Sequence, residues 1–140
     1  MSRKISHPPI PGRQEAFSLI AYGKLASKSN SRQLVYRGRK PSFIKSQSAF
    51  DFLRDFANQC PTLSPLFLDD VVLIADIYYP SRRQDLDESL LMDAIQSKLI
   101  WNDRQIKAKY IRWGLDVLQP RVDIRIRLAD HYDYAPGTPE

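Results

Sequence analysis

Two aspartates stand one residue apart in the stretch PSRRQDLDES, directly after a pair of arginines. In an extended chain residues i and i+2 point to the same side, so Asp85 and Asp87 are expected to present their carboxylates together. Two such groups repel unless a cation lies between them, and carboxylate ligands favour magnesium or manganese. The pair therefore predicts half of a divalent-metal site.

Asp103, in the stretch IWNDRQI, is the candidate for a third carboxylate. It follows a predicted helix and precedes a predicted strand, and it would approach the pair if that strand neighbours the strand at 70–80. A metal held by carboxylates suits phosphodiester hydrolysis, because it polarises the phosphoryl oxygen and lowers the pKa of the attacking water. Arg82 and Arg83, next to the pair, are candidates for holding the scissile phosphate.

Each of these residues also has a purely structural interpretation, and the sequence leaves both open. Asp85 and Glu88 have the spacing of a capping box at a helix start, in which Asp87 adds charge without being needed for the cap. The two arginines would then neutralise the aspartates through exposed ion pairs worth about 0–1 kcal/mol. Asp103 would be an ordinary turn residue.

The charge of the chain is unevenly distributed. Residues 1–50 contain ten Lys and Arg against one acid, while residues 51–140 contain eleven against fifteen acids. The basic half indicates either a surface for a polyanion such as nucleic acid or an ordinary solvated surface. Tyr22, Tyr36 and Phe43 would either stack on unpaired bases or pack within the fold. The candidate DNA-binding residues are Lys24, Lys28, Asn30, Arg32, Arg37, Arg39, Lys40 and Lys45.

Composition argues against several other classes of protein. The 140 residues suit about one domain, and no apolar run approaches the ~20 residues that a membrane helix needs. The first residues, MSRKISHPPIPGRQ, lack the apolar segment of a secretion signal. One cysteine excludes an internal disulfide and, with two histidines, argues against a zinc site. We therefore expect a cytoplasmic protein that does not interact with membranes.

The periodicity of the apolar residues predicts an α+β fold, with a mixed sheet of about five strands packed by two helices. Helices are expected from an N-cap at Ser46 and over 88–99. The last two strands are expected to pair as a hairpin across GLDVLQP. The strands are expected at 16–25, 32–46 (a basic hairpin or extended loop turning near Gly38), 70–80, 106–113 and 121–128.

The folded part is expected to be a single domain at 15–130. Residues 1–14, which include three prolines in HPPIPG, predict a mobile basic lead-in. Residues 131–140 lack a periodic apolar pattern and predict a flexible tail.

The ordered stretches RRQDLDES, LLMDAI and IWNDRQI resemble the RusA-type Holliday-junction resolvases, a family of crossover junction endodeoxyribonucleases. That family has a basic stretch, an Asp-x-Asp pair that opens a helix, and a third aspartate in an Asp-x-Gln turn after the helix. ASKSNSRQLV and KPSFIKSQSAF resemble the front of the family, so that the matches run from Gly23 to Ile126. The ordered set carries the resemblance, since no single motif is specific.

The resemblance implies a RusA-like fold and a homodimeric, magnesium-dependent endonuclease that binds four-way DNA junctions and nicks opposing strands. It implies that Asp85, Asp87 and Asp103 are the catalytic, metal-binding residues. It also implies a role in DNA recombination and repair and a phage or prophage origin, which would place the protein in the cytoplasm of a bacterial host.

The chain departs from the family in ways that leave other functions open. Glu88 stands where the family usually has asparagine, and Leu91 where it usually has a lysine; Asn102 replaces a frequent second acid. Glu88 would add a metal ligand or only cap the helix, and Lys28 or Lys98 would replace the lysine unless turnover is slow. The alternative is a non-catalytic DNA-binding protein of the same fold. A general single-strand or flap nuclease is a third hypothesis.

Overall fold

A computed structural model describes residues 13–129 of the chain. The predicted lead-in at 1–14 lies outside these residues except for its last two, and the tail at 131–140 lies outside them entirely. The strands are β1 (Ala16–Tyr22), β2 (Arg32–Arg37), β3 (Lys40–Lys45), β4 (Val71–Tyr79), β5 (Ile106–Leu115) and β6 (Arg121–Leu128). The helices are α1 (Gln47–Gln59) and α2 (Glu88–Ile95), with a single 3-10 turn at Asp103–Gln105.

Four strands form one mixed sheet in the order β1-β6-β4-β5, in which only β4 and β5 run parallel. β2 and β3 form a separate antiparallel pair that turns at Gly38; we call residues 32–45 the ribbon. The α+β prediction is thus confirmed, with a mixed sheet and two helices. The predicted pairing of β5 with β6 is wrong, because β4 lies between them.

β4 takes this central place because its apolar run is continuous. Its first five residues, Val71–Ala75, are all buried, so both faces of the strand need cover and both edges need hydrogen-bonding partners. β6 alternates as predicted, and Val122, Ile124, Ile126 and Leu128 are fully buried. These residues and alternate residues of β4 form one core with the buried side chains of α1 and α2.

The helix starts and ends are set by side chains. Ser46 is the N-cap of α1, as predicted, and its hydroxyl accepts the Ala49 N–H at 3.2 Å. α2 ends at Ile95 rather than at residue 99, because Gln96 is extended and Ser97 has a φ of 68°. Within residues 13–129 there is no helix with the length and apolar character to cross a membrane.

Candidate functional site

Asp87 is the N-cap of α2. Its Oδ1 accepts the Leu90 N–H at 3.2 Å and the Ser89 hydroxyl at 2.7 Å, and the residue is only 5% exposed. The predicted capping box from Asp85 to Glu88 is therefore wrong, because the cap is the second aspartate of the pair. Asp85 and Glu88 are both exposed.

Tyr79, the last residue of β4, fixes the position of this cap. Its phenolic oxygen accepts the Asp87 N–H at 3.2 Å, and its fully buried ring stacks on Trp113 with 6.4 Å between centroids. Burial raises the pKa of Tyr79 to about 12; the Asp87 N–H opposes this rise, whereas the charges of Asp87 and Asp85 add to it. The negative charges of Asp85 and Asp87 thus both raise the pKa of the Tyr79 hydroxyl, which places the pair near the end of β4.

Asp87 remains ionised despite its burial. Burial alone would raise the pKa of its carboxyl group, but hydrogen bonds from Ser31, Ser89 and the Leu90 N–H outweigh that effect. The charge of Arg32 lowers the pKa further, and the net result lies below the ordinary value of 3.8. Because Arg32 begins the ribbon and Ser31 directly precedes it, the basic half of the chain helps to keep this carboxylate negative.

A cleft of about 650 Å³ opens beside Asp87 and is lined by Lys28, Glu88 and Lys109 together with apolar side chains. The Lys109 ammonium lies 3.1 Å from a Glu88 carboxylate oxygen. Lys28 donates its backbone N–H to the Asp85 carbonyl at 3.4 Å, which joins the SKSN stretch to the aspartate pair. The cleft therefore combines two carboxylates with two ammonium groups.

Sequence reasoning missed Lys109 and Tyr79 as parts of this site. Lys109 lies on β5, in register with Leu73 of β4, and its signal was the alternation of polar and apolar residues in IKAKYIRW. Tyr79 carried no signal, because an apolar strand predicts a buried ring but not what its hydroxyl binds. Lys109 reaches the site only through the pairing of β5 with β4, whereas Tyr79 reaches it from the end of β4 itself.

Asp103 lies apart from this cleft. It is an exposed residue in the 3-10 turn before β5 and is not among the residues that line the cleft. Asn102, the residue before it, caps this turn by accepting the Arg104 N–H at 2.9 Å. Across residues 13–129, no group of three His, Cys, Asp or Glu side chains is placed to hold a metal ion. Within the described residues the three aspartates therefore do not form one cluster.

The cations predicted to assist the site have different placements. Arg82 and Arg83 are exposed, and in the described part of the chain no ion pair joins either of them to Asp85 or Asp87, so the predicted local neutralisation is wrong. Lys98 donates to two backbone carbonyls near the end of α1, at 3.1 and 3.3 Å, and so does not serve the site. Of the lysines that sequence reasoning considered as replacements, only Lys28 lines the cleft.

Leu91 lies at a position that does not suit the lysine usually found there in the RusA-type resolvases. The side chain is completely buried in the core, one turn into α2. At this position the helix faces the sheet, so a lysine here would have to bury its ammonium group.

We expect Leu91→Lys to lower the free energy of unfolding by about 3 kcal/mol or more, since the core loses an apolar side chain and gains a charge without a partner. Urea unfolding followed by circular dichroism measures the change. Gln96→Lys, at the exposed end of the same helix, should stay within about 0.5 kcal/mol of the wild type. A Leu91→Lys protein as stable as the wild type would contradict this assignment.

Of the candidate DNA-binding residues, Lys28 lines the cleft, and five lie on the ribbon: Arg32, Arg37, Arg39, Lys40 and Lys45. All of them are exposed except the half-buried Lys45, which lies 3.4 Å from Asp93 of α2. Lys24 and Asn30 line a second cleft of about 230 Å³ together with Gln84, the residue before Asp85. Lys28 thus shares a cleft with Asp87, and Lys24 shares a second cleft with the residue before Asp85.

No protein-family model and no curated protein matches the sequence. The candidate site therefore depends on its own residues: an ionised, buried aspartate that caps a helix, an exposed aspartate two residues before it, and a cleft shared by two lysines.

Proposed function

We propose that this protein is a magnesium-dependent endonuclease that hydrolyses phosphodiesters in branched DNA, four-way junctions above all. The observation that carries the proposal is Asp87, a buried carboxylate whose pKa is lowered and which borders a cleft next to a basic ribbon. A negative group buried beside a phosphate-binding surface would repel the phosphate unless a cation joins the two. A capping role alone does not require this placement.

The residues of the chain fit magnesium in part. The three-aspartate set does not fit, because Asp103 lies outside the cleft. Magnesium, however, takes only one or two protein carboxylates when water and substrate phosphates supply its other ligands. Asp87 lines the cleft and would hold it together with Asp85, which is exposed two residues earlier and does not itself line the cleft. Glu88, which does line the cleft, is a candidate accessory ligand. When bound, the ion would lower the pKa of the attacking water and offset charge on the leaving oxygen.

The cations of the site have a separate task, which is to bind and orient the DNA backbone. Lys28 and Lys109 line the cleft and can stabilise negative charge that develops on the phosphate. Arg82 and Arg83 precede the aspartates and can contact the next phosphates along the strand. The ribbon adds contacts that bind any sequence with a strong dependence on salt.

A homodimer is part of the proposal, because a four-way junction is two-fold symmetric and two opposed strands are to be cut. A dimer with one Asp87 cleft in each copy would present two sites related by the same symmetry. Sedimentation of the protein with and without a junction measures the number of copies bound.

The decisive experiment incubates the protein with a labelled four-way junction at a series of magnesium concentrations. We expect paired nicks that require magnesium or manganese and disappear in EDTA, while binding measured in EDTA remains. A linear duplex and a single-stranded flap of the same sequence are the controls. Efficient cutting of the flap but not of the junction would instead indicate a general flap nuclease.

A second candidate, DNA binding without cleavage, is favoured by one observation: no group of three acids in residues 13–129 is placed to hold a metal. On this hypothesis the ribbon and the cleft lysines bind junctions, and Asp87 acts only as the N-cap of α2. Tight, salt-sensitive binding with no nicks in magnesium or manganese would support it over the nuclease.

A further inference from the structure

One face of the ribbon carries large apolar side chains in solvent. Leu34 pairs with Phe43 and Tyr36 with Pro41 across the two strands, so these residues point to the same side. Leu34 is 47% exposed, Tyr36 68% and Phe43 70%. Core packing is thus wrong for Tyr36 and Phe43, whereas packing within the hairpin, the other structural interpretation, agrees with these cross-strand pairs. We call Leu34, Tyr36 and Phe43 the ribbon's apolar face.

The charge of the ribbon indicates what this face binds. Residues 32–45 contain five Lys and Arg and no acid. Pairing with the same face of a second copy would bring five more positive charges against these, which opposes association. An unpaired DNA nucleotide suits the face better. Its base is an aromatic ring that stacks on Tyr or Phe, and its phosphate neutralises the cations.

The base of the ribbon lies beside Asp87, because Arg32, Lys45 and Asp87 line one small pocket. Arg32 and Lys45 pair at the base of the ribbon and, by strand alternation, lie on the same side as the apolar face. The positive charge of Arg32 lowers the pKa of Asp87, and the Lys45 ammonium lies 3.4 Å from an Asp93 carboxylate oxygen of α2. From Arg32 to Tyr36 the strand rises about 13 Å. Bases stacked on the face would therefore belong to the strand whose backbone passes the cleft.

We propose that Tyr36 and Phe43, supported by Leu34, stack unpaired bases of the DNA that is bound at the Asp87 cleft. This inference rests on the proposed function, and it adds that unpaired bases are the part of the substrate that the ribbon recognises. Paired bases inside a duplex already stack on one another and offer no free ring face, so the ribbon distinguishes opened or branched DNA from linear duplex. Phosphate contacts alone do not make this distinction.

The test measures the Kd of full-length variants by fluorescence anisotropy over a salt series, with an oligothymidylate, a four-way junction and a linear duplex. Tyr36→Ala, Phe43→Ala and Phe43→Leu should bind oligothymidylate about 10-fold more weakly, because each removes one stacking ring. The junction should follow in the same direction, and the duplex should not change. Phe43→Trp, which keeps a ring, should bind like the wild type.

Two controls separate stacking from general effects. Phe50→Ala removes a ring that is 51% exposed on α1, outside the ribbon, and should change no Kd. Arg37→Gln should reduce the dependence of log Kd on log salt by about 0.7 for the single strand, whereas the ring variants should leave that slope unchanged. Size-exclusion chromatography of each variant shows whether its oligomeric state is kept.

Equal weakening on the duplex, or no weakening on oligothymidylate, would overturn the stacking proposal. So would dissociation of a wild-type dimer by Phe43→Ala, since the face would then bind a second copy. If the wild type nicks junctions while the ring variants bind every DNA as tightly as it does, only the stacking proposal fails. If the wild type binds none of the three DNAs, the stacking proposal and the proposed function both fail.

Discussion

Replacement of Asp87 by asparagine is expected to reduce magnesium-dependent nicking of a four-way junction at least ~100-fold while the fold is kept, since even groups that only orient metal ligands contribute 10- to 100-fold. Asparagine is as good an N-cap as aspartate, so its side-chain oxygen can still accept the Leu90 N–H. The free energy of unfolding should change by no more than about 1 kcal/mol. The variant thus removes the charge and leaves the cap, and single-turnover nicking together with urea unfolding measures both.

Two further substitutions serve as comparisons for Asp87→Asn. Asp55→Asn changes a half-buried acid of α1, outside the site, that lies 3.3 Å from Arg54, and it should nick at the wild-type rate. Asp103→Asn should also remain active if DNA is cut by the chain as it is arranged here, because Asp103 lies outside the cleft. A loss as large as that of Asp87→Asn would instead show that Asp103 reaches the site when DNA is bound. Wild-type nicking by Asp87→Asn would leave Asp87 as a cap only.

The features that were predictable from the sequence are those set by local periodicity. The alternation of apolar residues fixed β6 at 121–128, and the unbroken apolar run located β4 within one residue at each end. The N-cap at Ser46 was equally local. In each case the face that a residue presents follows from its own position in the strand or helix, so no distant partner needs to be known.

The features that were not predictable depend on distant contacts. The choice of Asp87 over Asp85 as the cap follows from the Tyr79 hydroxyl, which comes from another element. The position of β4 between β5 and β6 separates strands that are neighbours in sequence, and local spacing alone favoured a hairpin. Lys109 reaches the cleft for the same reason, because it depends on which strand lies beside β4.

Replacement of Gln105 by leucine is expected to lower the free energy of unfolding by about 3 kcal/mol or more, because it leaves four backbone groups without partners at about 1–3 kcal/mol for each one that stays buried. The Gln105 side chain is 8% exposed. Its oxygen accepts the N–H groups of Trp101 and Asn102, both at 2.7 Å. Its amide nitrogen donates to the carbonyls of Phe67 and Asp69, at 2.7 and 2.8 Å.

This network gives the glutamine of the Asp-x-Gln turn a structural role, since it joins the segment before β4 to the segment before β5. Arg104→Ala, an exposed neighbour in the same turn, should change stability by no more than about 0.5 kcal/mol. Gln105→Glu should be intermediate, because a carboxylate can still accept from the two N–H groups but cannot donate to the two carbonyls. Urea unfolding at neutral pH orders the three variants. A loss below about 1 kcal/mol in Gln105→Leu would mean that water replaces the amide, and that the two segments are held by the pairing of β4 with β5 alone.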